Sequence, residues 1–226
     1  MSSDTLFLFS LTVAFPAIVG INRYRKMERS YSPFLIYIII SLLNELLVKF
    51  ALKSFNARNL DWQLFNLFEA IILTTQFYYW RVFSRFKWGF ILVLILLIGL
   101  WFVENLVISS IYEFNPVFLI AKPFILVLLS VQTINHIIVN QNRSPLNRNS
   151  MFIICVALVI YFIYNIFVYT LQAKGISKTD KNLMTKVFEI MVYINAFTNL
   201  LYGLAMCYIP EKISRKNLFP DTVQKN

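Results

Sequence analysis

The sequence is poor in the residues from which chemistry is usually built. It holds one histidine, His136, and two cysteines, Cys155 and Cys207. That set cannot assemble the usual structural or catalytic zinc sites, so no metal and no cofactor are expected. There is no His-Glu-x-x-His pair and no Gly-x-Ser-x-Gly elbow. Five glycines are too few and too scattered for a phosphate-cradling loop. No aspartate sits mid-helix to form a protease dyad. The chain reads as a non-enzyme with no catalytic residues. Both cysteines fall inside apolar segments, where packing is the default role. Acids are scarce as well: 11 against 21 Lys and Arg, for a net charge of +10.

What the chain has in excess is apolar and aromatic surface. It is 58% hydrophobic, with 22 Phe and 12 Tyr, and its mean hydropathy is +0.65. Soluble domains are about 45–50% apolar. The expectation is an all-α, multi-pass protein of a cell membrane, either plasma or bacterial inner membrane. The positive charge then belongs to loops facing an anionic leaflet. Membrane lipids and a small-molecule ligand or ion are the expected partners, and no nucleic acid is. A homo-oligomer or a cytoplasmic signalling partner is left open.

A spanning helix needs about 20 predominantly apolar residues. Seven stretches qualify: about 5–21, 33–53, 62–80, 88–109, 116–140, 151–172 and 183–209. The first follows a start without a basic leader region and reads as a retained helix. Together they form one transmembrane domain, with residues 210–226 as a short polar tail. Pro16 and Pro123 are the prolines well inside these helices.

The loops are asymmetric in charge. One side carries Arg23, Arg25, Lys26, Arg29, Arg81, Arg85, Lys87, Arg143, Arg148, Lys212, Arg215, Lys216 and Lys225. The other carries Arg58, Lys174, Lys178 and Lys181. The excess predicts the N-terminus outside and the C-terminus in the cytoplasm.

Two segments match. Leu67-Phe68-Glu69-Ala70 and Val187-Phe188-Glu189-Ile190 are each followed at equal spacing by a polar residue (Thr75, Asn195) and a phenylalanine (Phe77, Phe197). Asn44 and Asn165, like Lys53 and Lys174, are offset by 121 residues, and Glu69 and Glu189 by 120. Helices 2–3 therefore lie over helices 6–7, with helix 4 between two triplets of the same orientation. This is a parallel three-one-three repeat. The architecture resembles that of SWEET-type sugar transporters, nicotinamide riboside transporters and microbial rhodopsins. The resemblance is one of topology and implies no particular residues: the Pro-Gln pair of the SWEET type is missing, and Lys186 lies in the first turn of helix 7 rather than mid-helix.

At about 1.5 Å rise per residue, the polar residues collect in the outer half. Glu69 and Glu189 lie about 10 Å below the outer boundary. Asn44 and Glu45 sit near the midplane, Glu104 near the outer end of helix 4, and Asn165 in the outer half of helix 6. Lys122 lies about two turns down helix 5. An unpaired intramembrane charge is costly, so Lys122 is expected to pair with an acid, Glu189 slightly ahead of Glu69. Glu69, Glu189, Asn44, Asn165, Glu45, Glu104, Lys122 and Asn195 are the candidate ligand-binding set, with Tyr161, Tyr164, Tyr169 and Tyr193 as candidate lining. Two functions fit: a small-solute transporter, or a receptor that binds an external ligand. His136, near the inner end, reads as a hydrogen-bonded interfacial residue.

Overall fold

A computed structural model describes residues 3–52, 54–84, 86, 88–140, 145–173 and 181–211. The described residues form seven helical rods and no strand. The first rod is α1 (Ser3–Ser10), one 3-10 turn (Leu11–Val13) and α2 (Ala14–Arg23). There follow α3 (Ser32–Phe50), α4 (Phe55–Tyr79), α5 (Trp88–Phe102), α6 (Pro116–Asn140), α7 (Ser150–Ala173) and α8 (Lys181–Tyr208). Rods alternate in direction. One end of the bundle carries the start of α1 and is called the amino end. The other carries Arg23 and the end of α8 and is called the carboxy end.

Five segments are long and apolar enough to cross a membrane: Arg29–Phe50, Trp88–Ile108, Pro116–Val139, Ser150–Ala173 and Asn182–Tyr208. Phe7–Arg23 is a shorter apolar helix. This set is that of a multi-pass membrane protein. The expected straight first span is broken by the 3-10 turn. Pro16 lacks the N–H that Thr12 O would accept in an α-helix. The Ser10 and Thr12 hydroxyls bond back to Phe7 O (3.0 Å) and Phe9 O (2.7 Å), which further loosens the turn.

Helix α4 departs most from its expected form. It begins at Phe55, well before Trp62, because Ser54 caps it: the Ser54 hydroxyl accepts from Ala57 N at 3.2 Å. It is 25 residues long yet falls short of a span by average apolarity, and direction explains why. Gln63, Asn66, Glu69, Leu73, Gln76 and Trp80 recur every three or four residues and are all buried. Leu64, Phe68, Tyr78 and Tyr79 are exposed. The helix is polar inside and apolar outside, as suits a rod that faces lipid and bonds its neighbours.

Close approach elsewhere depends on two glycines. A Cβ on Gly20 would lie 2.4 Å from Leu35 Cδ1, and one on Gly203 would lie 2.0 Å from the Phe15 ring. Their absence of side chain lets α2 lie directly on α3 and α8. At the carboxy end the Arg23 guanidinium donates to the carbonyls of Met206 (2.8 Å), Cys207 and Ile209 (3.2 Å). It thereby satisfies the free carbonyls of the last turn of α8. Helix α5 continues as a π-helical stretch, Val103–Ile108, where a plain α-helix is expected. The wider turn allows two adjacent polar residues, Glu104 and Asn105, to be buried together. Several expected features lie outside the described residues: Lys53 and Lys174 of the repeat, the basic residues Arg85, Lys87, Arg143 and Lys178, and the tail from Lys212 onward.

Candidate functional site

The inner face of α4 organises a buried polar chain. Lys122 of α6 is 2% exposed and Glu69 is 3% exposed. The ammonium contacts Glu69 Oε2 and Asn66 Oδ1 and lies 5.6 Å from the centroid of the Phe162 ring. The second Glu69 oxygen accepts from the Tyr37 hydroxyl at 3.0 Å. Lysine therefore does pair with an acid, but with Glu69 and not Glu189. The reason is packing: α6 lies against α4, whereas membership of one helix triplet favours α8. Four buried groups on three helices satisfy one another, which is the condition under which buried charges persist.

Gln76, two turns further along the same face, serves the backbone. Its Oε1 accepts from Phe34 N at 2.8 Å and its Nε2 donates to Ser30 O at 2.7 Å. Phe34 N is one of the orphan donors of the first turn of α3, so a side chain of α4 caps α3.

The remaining candidates separate into two groups. At the amino end Ser10, Glu45, Tyr161 and Asn195 line two adjoining hollows. The smaller, of about 60 Å³, also takes in Tyr37, Ser41, Asn44 and Asn199. The larger, of about 540 Å³, takes in Glu189, Thr185 and Phe188. The Asn44 amide lies against the Asp61 carboxylate; with its nitrogen turned toward the acid, as the hydrogen-bonding requires, it donates to the two oxygens at 3.1 and 3.3 Å. Glu45 and Ser10 line both hollows. Asn199 donates to Thr12 Oγ1 at 3.0 Å. Glu45, Glu189, Asn44 and Asn195 thus line the two adjoining hollows, which together form one groove. Tyr37 joins it to the ion pair, since it lines the groove and donates to Glu69.

Two candidates belong elsewhere. Glu104 accepts from Val117 N at 2.7 Å and from Phe118 N. Both its oxygens cap the first turn of α6, where a carboxylate is also favoured by the helix dipole. Asn165 donates to Tyr161 O at 2.9 Å, within its own helix, and lines neither hollow. Of the four candidate tyrosines, Tyr161 lines the groove. Tyr164 donates to Val187 O at 3.0 Å, Tyr169 packs beside Trp62, and Tyr193 packs on Phe9.

No protein-family model, curated protein or solved structure matches this chain. The pairs offset by 120 and 121 residues do not occupy equivalent surroundings: Glu69 is sealed against Lys122 while Glu189 lines the groove, and Asn44 meets Asp61 while Asn165 meets its own helix. Asn66, Gln76 and Tyr37 escaped the sequence reading. The signal for the first two was the three- and four-residue spacing from Gln63 to Trp80. Nothing local marks Tyr37.

Proposed function

We propose that the protein is a small-solute membrane transporter that binds its solute in the acid- and amide-lined groove at the amino end. The observation that carries this reading is the joining of the groove, through Tyr37, to the sealed Glu69–Lys122 pair. A groove of about 540 Å³ suits a small solute, and such sites run to about 300–1,000 Å³. Glu45 and Glu189 on the wall favour a cation or amine. Asn44, Asn195 and the hydroxyls would equally hold a hydroxyl-rich solute. Tyr37 can pass a change of charge or position in the groove to the ion pair. That link is what coupling of binding to helix movement requires. The excess of basic loop residues at the carboxy end supports a cytoplasmic setting for that end and an outward-facing groove.

A second reading, a receptor, is favoured by one observation. Phe34, Leu73, Phe77, Leu126 and Ile154 are fully buried and belong to one apolar cluster. They lie below Tyr37 and Glu69 and close the path to the carboxy end.

One experiment separates the two. The full chain is reconstituted in proteoliposomes and offered a mixture of small amines and polyols, with the lumen analysed by mass spectrometry. The transporter reading expects selective accumulation that disappears in a Glu45→Gln, Glu189→Gln double variant. Retention on the protein without entry to the lumen would support the receptor. Neither retention nor entry would remove both.

A further inference from the structure

The turn after α4 is a Schellman motif: Val82 N donates to Phe77 O at 3.1 Å and Arg81 N to Tyr78 O at 2.9 Å. The residue at its left-handed position is normally glycine. Here it is Arg81, with φ of 60°. A non-glycine residue held there points to a use for its side chain. Arg81 lines a hollow of about 400 Å³ at the carboxy end together with Trp80, Ser84, Gln132, Asn135 and His136. Every one of these side chains can donate a hydrogen bond, and among the described residues the lining contains no carboxylate. Trp80 is 8% exposed, and its Nε1–H has no acceptor, which is unusual for a buried indole.

A second hollow, of about 680 Å³, adjoins the first and shares Arg81 and Ser84. Its character is opposite: Tyr78, Tyr79, Phe83, Phe90 and Ile91 line it. A donor-rich hollow joined through a strained arginine to an aromatic groove matches one kind of molecule. We infer that this place binds an anionic phospholipid, its phosphate at Arg81 and the Trp80 N–H, its acyl chain in the groove between α4 and α5. Arginine suits phosphate because its planar fork offers parallel donors. A free phosphate would leave the aromatic groove without a role.

The test uses a property of the turn itself. Arg81→Gly removes the charge and also relieves the left-handed strain, so it should fold at least as well as the parent chain. The full chain, delipidated in a neutral detergent, is titrated with short-chain phosphatidic acid, with phosphatidylcholine of equal chain length, and with inorganic phosphate. Melting temperature and native mass spectra are read together. The expected result is saturable binding of phosphatidic acid, little of phosphatidylcholine, and weak competition by phosphate. Arg81→Gly should keep or raise the unliganded melting temperature and lose phosphatidic acid affinity by about tenfold or more, as for loss of a charge-assisted hydrogen bond. Trp80→Phe should lose less. Equal affinity in Arg81→Gly, or equal binding of the two lipids, would overturn the inference. Binding of inorganic phosphate as tight as that of the lipid would overturn the acyl-chain half of it.

Discussion

Glu69 and Glu189 occupy nearly the same local sequence, Leu-Phe-Glu-Ala in one case and Val-Phe-Glu-Ile in the other. In both the preceding phenylalanine is exposed; Glu69 is buried and Glu189 half-buried. Beyond that they part. Glu69 lies where α4 meets α6, and its oxygens reach Lys122 and Tyr37. Glu189 lies on the part of α8 that meets α1, where the rods stand far enough apart to leave a groove. Local sequence decides that a carboxylate faces inward. The neighbouring helix decides whether it is sealed or left lining a space. A sealed acid holds the bundle together, and an acid on a groove wall borders a space of about 540 Å³.

The comparison can be broken most sharply at Lys122. Lys122→Met should strand a buried carboxylate and cost about 3–5 kcal/mol. Adding Glu69→Gln should recover much of that loss, while adding Glu189→Gln should only add its own effect, within about 0.5 kcal/mol. Unfolding of the five proteins in one detergent decides. Recovery with Glu189→Gln would reverse the assignment of the two acids.

A smaller effect is expected at Gln76. Gln76→Leu keeps the volume but leaves Phe34 N and Ser30 O without their partner, for a loss of about 1–3 kcal/mol. Hydrogen exchange at Phe34 should quicken while α8 amides stay protected. An unchanged rate would mean that α3 does not depend on α4 for its cap.

On the groove side stability should barely move. Glu45→Gln is expected within about 0.5 kcal/mol of the parent, while any solute retained by the parent in the proteoliposome assay should be lost. A large destabilisation would make this groove acid structural, as Glu69 is. Smallest of all is the effect of topology probes. In a Cys207→Ser background, Ser110→Cys should react with an impermeant thiol reagent added outside cells and Lys26→Cys should not, with no change in melting temperature for either. The reverse labelling would turn the groove to the cytoplasm.

The sequence was readable where a property belongs to one helix. The number of rods, the inward turn of Glu69 and the need of Lys122 for an acid all follow from periodicity and the cost of buried charge. It was unreadable where a property belongs to a pair of helices. Choosing Glu69 over Glu189 needs the rotation and adjacency of α6, which no spacing along one chain encodes. Glu104 illustrates the same limit: a carboxylate near a helix end looks like a ligand until the start of α6 is found beside it. Tyr37 is one tyrosine among 12 and acquires its role only from what stands across from it.

The polar inner face of α4 also sets a schedule for synthesis. Lys122 follows Glu69 by 53 residues. At about 5–20 residues per second, roughly 3–10 s pass between the two emerging from a ribosome. During that interval α4 carries an acid without its counter-charge, and its outer side alone cannot make the helix a comfortable lodger among acyl chains. In a bilayer, α4 would then have to stay with the insertion machinery at its exit until α6 arrives. A chain halted after α5 should therefore be cross-linked to that machinery through α4, and should leave it once Lys122 has been made.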